Sequence, residues 1–325
     1  MNVVDMHCDT IMQIYQATKD QPVLLKKNNI QLDIEKMQKG DYLLQNFALF
    51  IESDEVDSPY QTAKEMVDCF YQEMKQNKDT IRPVIHYEQI LENGLNNRMS
   101  ALLTMEEGAP LEGSIEKLEE FYNLGVRMLT LTWNYPNEIG YPNAAFSDDD
   151  FHLNDHKQKG LTEQGIKIVQ RMNELGMIID VSHGSDALVE DVLKYTDRPF
   201  VASHSDARAI CPHYRNLSDD LIRKIAERGG VIGINFAGQF LKKAEDKGSQ
   251  IDAIVRHVQH IYQTAGIDVI GLGSDFDGIK VHEDLPDGSV LPKIYDALVK
   301  AGFTTKEVDK IFNENVLRLY RDFLI

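Results

Sequence analysis

Apolar residues in this chain follow two rhythms. Short aliphatic and β-branched runs fill positions 2–8, 44–51, 100–106, 126–133, 177–183, 199–204, 230–237 and 268–275, the pattern of strands buried on both faces. Between them lie longer stretches with apolar residues every third or fourth position. In 161–175 the apolar set is Ile166, Ile168, Val169, Met172 and Leu175, with Gly176 just past the predicted helix end. Ser218 precedes Asp219-Asp220-Leu221-Ile222, an N-cap with an acidic first turn. Ile251, Ile254, Val255, Val258, Ile261 and Tyr262 form one apolar face. Thr304-Thr305-Lys306-Glu307 is a capping-box pattern that opens a last helix through Ile311, Val316, Leu317 and Tyr320.

Eight strands alternating with helices predict an α/β protein of the (β/α)8 TIM-barrel type, one domain over residues 1–325. A doubly wound sheet is the competing architecture, but no GxGxxG follows a strand. Two connections are longer than packing requires. The first runs from Ser53 through a helix at 61–77 to Pro83-Val84-Ile85 and is expected to lie outside the barrel. The second, Asn134 to Gly160, carries Asp148-Asp149-Asp150 and Asn154-Asp155 and has the length of a functional loop or lid.

The strand ends share a chemistry. The first strand ends in His7-Cys8-Asp9; alternate residues share a face, so His7 and Asp9 point together and Cys8 points into packing. The third ends at Glu106-Glu107, the fifth at His183, the sixth at His204 and the eighth at Asp275-Phe276-Asp277-Gly278. In barrels of this kind, catalytic groups come from the C-terminal ends of several strands. His7, Asp9, Glu106, His183 and His204 are five candidate metal ligands, more than the three that one catalytic zinc takes. Two ions roughly 3.5–4 Å apart would share Glu106, with His7 and Asp9 on one and His183 and His204 on the other. Imidazole and carboxylate donors favour two Zn2+, with Mn2+ or Co2+ also compatible. Asp5 shares the face of His7 and is either a ligand-orienting carboxylate or a backbone-bonded one. Asp277 is expected to shape the turn before Gly278, and His213, His152 and His156 to be solvated. His86, His257, His260 and His282 are expected at the surface.

Charge narrows the partners. With 52 acidic against 34 basic residues the formal net charge is −18, which excludes nucleic acid and anionic membrane as main partners. Three cysteines, Cys8, Cys69 and Cys211, form no paired framework, and no signal-peptide pattern or run of 18 apolar residues occurs. The expectation is a cytoplasmic protein with a small-molecule substrate and a homodimer as its candidate assembly.

Seven segments carry a resemblance. Asp5-Met6-His7-Cys8-Asp9, Met105-Glu106-Glu107-Gly108, Val126 to Thr132, Ile179-Asp180-Val181-Ser182-His183, Ser203-His204-Ser205, Tyr214-Arg215-Asn216 and Gly271 to Gly278 resemble, in order, the membrane (renal) dipeptidase family of zinc peptidases. The resemblance implies a binuclear zinc dipeptidase with these five ligands, a metal-bridging hydroxide as nucleophile, Asp275 as proton shuttle and Arg215 holding the substrate carboxylate. It also implies tolerance of L-D dipeptides. An arginine suits a carboxylate clamp because its guanidinium binds bidentately.

Three departures stand out. Trp133-Asn134 replaces a substrate-touching His, with Asn134 able to donate the same hydrogen bond. Glu107 rivals Glu106 as the ligand in Glu106-Glu107-Gly108-Ala109. Ala237 replaces an aromatic residue near the pocket. Two other readings stay open: an amidohydrolase acting on N-acyl amino acids or a lactam, and a metal-binding barrel without catalysis.

Overall fold

The computed structural model describes residues 1–17, 20–143, 159–243, 245–280 and 282–325. The acidic run at 148–150, His152, Asn154, Asp155 and His156 lie outside the described residues. Among the described residues there are nine strands: β1 (Val3–Asp5), β2 (Tyr42–Phe50), β3 (Ile81–Val84), β4 (Met99–Glu106), β5 (Met128–Thr130), β6 (Ile178–Asp180), β7 (Val201–Ala202), β8 (Val231–Ile234) and β9 (Ile270–Leu272). All pairings between these strands are parallel. β1, β2, β4, β5, β6, β7, β8 and β9 close into a ring, with β9 returning to β1 through Asp5 and Leu272. This is the eight-stranded (β/α)8 barrel that the sequence predicts.

The first long connection stays outside the closed ring, yet it adds a ninth strand at the ring's edge. Ile81–Val84 pairs with Met99–Leu102 on the lower half of β4, beneath the point where β5 joins at Thr104. Both strands use the same edge of β4 at different heights, and Pro83 fits because β3 has no second neighbour to supply with an N–H. The barrel strands are also shorter than the apolar runs, since many apolar residues beyond their ends pack in loops.

Two apolar shells result. Between barrel and helices lies a continuous layer that includes Phe47, Phe70, Phe121, Ile168 and Ile254. Inside the barrel floor, Val4, Met6, Leu44, Leu102, Met128, Ile178, Val201 and Val231 meet Val316, Leu319, Tyr320 and Phe323 of the C-terminal helix Asn315–Phe323. Tyr320 reaches into the interior, where its hydroxyl donates to Asn46 Oδ1 at 2.9 Å. The floor is therefore plugged, and the open face is the rim where the strands end.

The predicted helix ends are found. Thr162 caps Glu163–Leu175 and Gly176 ends it at φ 73°; Ser218 accepts from Leu221 N–H; Thr304 and Glu307 form the capping box. His257 is a correction, being fully buried on Gln250–Ala265 rather than at the surface. Its Nδ1 accepts from Ala207 N–H at 3.0 Å, so its Nε2–H donates to Leu241 O at 2.9 Å. Burial first, then the neighbouring Arg256 charge, holds its pKa down at about 4. A folded value below the unfolded one stabilises the fold above the unfolded pKa, and this contribution is lost as pH falls towards 4. From pH 7 to 5 this side chain should cost about 2 kcal/mol of stability. Denaturant midpoints of His257→Gln should fall less over that interval than those of the parent protein.

Candidate metal and peptide site

The rim residues converge because backbone pairing continues past the strands. Asp275 N–H donates to His7 O, and Asp9 N–H to Phe276 O, tying the end of β1 to the end of β9. Asp5 is fully buried and backbone-bonded: its Oδ1 accepts from Ser274 N–H and His7 N–H, and its Oδ2 from Ser274 Oγ. Asp180 repeats the device on β6, accepting from Ser182 N–H, Ser203 N–H and Ser203 Oγ. Left-handed backbone at His183 (φ 66°) and Asp275 (φ 63°) turns the chain abruptly at the rim, a conformation costly for non-glycine residues. Gly278 must lack a side chain here. A Cβ at that position would lie 2.0 Å from Asp9 Oδ2.

Glu106 sits at the centre and divides its oxygens. Oε2 lies 3.0 Å from His7 Nε2; Oε1 lies 3.0 Å from His183 Nε2 and 3.4 Å from His204 Nε2. His7 Nε2 is in turn 3.7 Å from Asp9 Oδ1 and 3.9 Å from Asp275 Oδ1. Ligand-capable atoms of His7, Glu106 and His204 lie within 4.8 Å of one another, as do those of His7, Asp9 and Asp275. Glu107 takes no part. At φ 91° its side chain turns away, and its Oε1 accepts from Asn137 Nδ2 and Ala109 N–H.

Hydrogen bonds assign the tautomers of two imidazoles. His204 Nδ1–H donates to Ser203 Oγ at 2.8 Å, because the Ser203 hydroxyl proton is committed to Asp180 Oδ2. His183 Nδ1–H donates to Asn134 Oδ1 at 2.9 Å. Both Nε2 atoms then carry lone pairs, and they face each other across 3.0 Å beside Glu106 Oε1. Burial, followed by neighbouring positive charge, holds both rings neutral: His183 at about 4 and His204 well below its ordinary value. His7 Nε2 and Asp9 Oδ1 are buried without a hydrogen-bond partner. Neutral imidazole lone pairs, a shared carboxylate and orphaned acceptors fit a divalent cation. Burial depresses His7, but the charges of Glu106 and Asp9 outweigh it and raise the ring well above its ordinary pKa. Burial alone would raise Glu106; the charge of His7 leads what holds it well below the carboxylate range. The cluster thus demands positive charge at its centre.

A cavity of about 290 Å3 opens over this cluster, with Asp9, Glu106, His183 and Asp275 in its polar floor. Asn134 lines it beside Trp133. Burial pushes Asp275 up to about 7, and Asn235 Nδ2–H holds its Oδ2 at 2.9 Å. Arg215 is buried beside the cluster, its Nη2–H on His204 O at 3.2 Å and its Nε–H without a partner. Asn216 pins its loop by donating to Cys211 O and Phe240 O. His213 is packed against Tyr214 and Phe240 rather than solvated. Cys8 faces packing, its thiol donating to Asn46 O, and Asp277 shapes the turn by accepting from Thr10 Oγ1 and Gln31 N–H.

Asn235 and Ser203 escaped sequence reasoning as functional partners. The signal available was position: each is the polar residue where an apolar strand run meets the rim.

The profile of the membrane dipeptidase family, peptidase family M19, matches residues 1–323. An uncharacterized dipeptidase of Schizosaccharomyces pombe is 30% identical over 338 aligned positions, covering 95% of this chain and 80% of that one. The structure of dipeptidase AC, a family M19 metallopeptidase, superposes with a TM-score of 0.89 at 25% identity, covering 100% of this chain and 99% of that one. A Rhodobacter sphaeroides metallopeptidase bound to a phosphinate mimic of L-Ala-D-Ala shares the fold, with a TM-score of 0.88 at 24% identity over 99% of each chain. The chain belongs to the membrane dipeptidase family, peptidase family M19, and is a metal-dependent dipeptidase.

Proposed function

We propose that the protein hydrolyses dipeptides, L-D dipeptides included, at a two-zinc centre held by His7, Asp9, Glu106, His183 and His204. The observation that carries this reading is the division of Glu106, one oxygen toward His7 and the other toward the facing nitrogens of His183 and His204. The mixed imidazole–carboxylate donor set favours zinc, with manganese or cobalt as substitutes. Bound ions would supply an ionised water at neutral pH and an electrophile for the scissile carbonyl oxygen. Asp275 Oδ1 receives the proton shed by the attacking water and delivers it to the leaving nitrogen, a task suited to a carboxyl near neutral pKa. Asn235 fixes the other oxygen, so the shuttle stays aimed.

Arg215 grips the free carboxylate of the substrate. Its guanidinium is buried, lies 5.4 Å over the Phe240 ring and keeps Nε–H unbonded, which supports a fork awaiting an anion. Asn134 offers its amide nitrogen to the substrate, since its oxygen is engaged by His183. The phosphinate mimic bound by the Rhodobacter sphaeroides relative supports a dipeptide with a D-residue at the carboxyl end. Three free thiols support a reducing cytoplasm as the setting. No helix of the described residues is long and apolar enough to cross a membrane.

The test is a panel of L-L and L-D dipeptides, their amidated forms and N-acyl amino acids, assayed with added zinc. Arg215→Ala should raise KM for free-carboxylate dipeptides about 100-fold, the scale of a charge-assisted bidentate contact, and barely move the amidated forms. Equal losses on both would remove the clamp. Turnover of N-acyl amino acids alone would favour the amidohydrolase reading, and no turnover with metal bound would favour a binding barrel.

A further inference from the structure

The cavity wall opposite Arg215 is aromatic and belongs to no part of the mechanism above. Phe50 is the in-register sheet partner of Glu106, and Trp133 follows β5, which pairs on the other side of that residue. Their rings pack 4.9 Å apart at 59°, and Tyr135 backs Trp133 at 5.4 Å. Both are half-buried and line the cavity, with Met12 and Ile279 adding apolar surface. Each ring of the wall is braced by the next. Apolar surface of this size at a substrate cavity gains free energy only when a ligand covers it.

Ring order says which part of a ligand reaches it. In the closed barrel β4 lies across from β8. Glu106 with its flanking Phe50 and Trp133 therefore stands opposite Phe240 and the Arg215 that packs over it. A dipeptide whose carboxylate is on Arg215 and whose amide carbonyl is over the histidine cluster extends its amino-terminal residue toward Trp133. We propose that Trp133, backed by Phe50, selects a large apolar or aromatic side chain on the amino-terminal residue of the dipeptide. The inference rests on the dipeptidase reading for this polarity. An Ala or Gly side chain at that end leaves the wall wet.

Trp133 is the sole tryptophan of the chain, so its fluorescence reports on this wall alone. Asp275→Asn protein, used to stop turnover, is titrated with Phe-Ala, Ala-Phe and Ala-Ala. Phe-Ala should shift the emission to shorter wavelength with saturation at the lowest concentration, and Ala-Phe should behave like Ala-Ala. In steady-state assays Trp133→Ala should lower the kcat/KM ratio of Phe-Ala to Ala-Ala about tenfold or more, leaving the ratio of Ala-Phe to Ala-Ala within about twofold. Equal fluorescence responses to Phe-Ala and Ala-Phe, or an unchanged Phe-Ala ratio in the variant, would overturn the proposal. If parent enzyme hydrolyses no dipeptide but Trp133 responds selectively to Phe-Ala, the dipeptidase reading falls while the wall assignment stands. Hydrolysis of dipeptides without that selectivity removes the wall assignment and leaves the dipeptidase reading standing.

Discussion

Replacing Asp275 with Asn should lower kcat about 1,000-fold while leaving the fold and the metal content intact. The size follows from general acid–base catalysis, where removing the positioned group costs roughly 100- to 10,000-fold. The fold should survive for three reasons. Asn matches Asp in shape, it tolerates the left-handed backbone seen at φ 63°, and it removes a carboxyl that burial already keeps at about 7. Its amide oxygen can still accept from Asn235 Nδ2. Steady-state rates, thermal midpoints and elemental analysis on one preparation decide the matter. A kcat within tenfold of the parent would strip Asp275 of the proton-shuttle role, and a loss of metal would make it a ligand instead.

Glu106→Gln should be more severe, abolishing both metal retention and turnover. A carboxylate can face His7 with one oxygen and the His183–His204 pair with the other. An amide has one oxygen only, so in either rotamer it turns N–H groups toward one of the two sides. Metal content should fall below about one ion per chain after dialysis, with kcat/KM down at least 10,000-fold, about 5.5 kcal/mol of transition-state stabilisation. His7 gives an independent reading, since Glu106 is the largest charge raising its pKa. In metal-free protein the His7 ring should titrate at lower pH in Glu106→Gln than in the parent. Full metal occupancy in the variant would refute the shared-carboxylate arrangement.

Much of this site was legible because the chemistry lies at strand ends, and strand ends are where periodicity is strongest. His7, His183, His204 and Asp275 each follow a run of aliphatic residues, and the structure places all of them around Glu106. The match to the family pattern selects Glu106 over Glu107, and the left-handed turn at Glu107 is the physical reason that its carboxyl leaves the rim. β3 was hidden because Ile-Arg-Pro-Val is short, carries a charge and contains a proline. His257 was discoverable. It sits three residues after Ile254 and four before Ile261, on the very face that packs inward. The bonds of Asp180 to Ser203, Ser203 to His204 and Asn134 to His183 could not be read, because they join residues at or beyond the ends of three strands whose spacing in sequence carries no period.

The plugged floor bears on when the protein can become active. β1 reaches its barrel neighbour β9 only after some 270 residues, and Met1 O is held by Asn313 Nδ2 near the far end of the chain. Tyr320, which fills the interior below Asn46, comes 274 residues after that partner. His7 and Asp9 therefore enter the chain long before the residues at the end of β9 to which they are tied in the folded barrel. Ring closure and the assembly of the donor cluster are one event, so cation affinity and barrel stability draw on the same free energy.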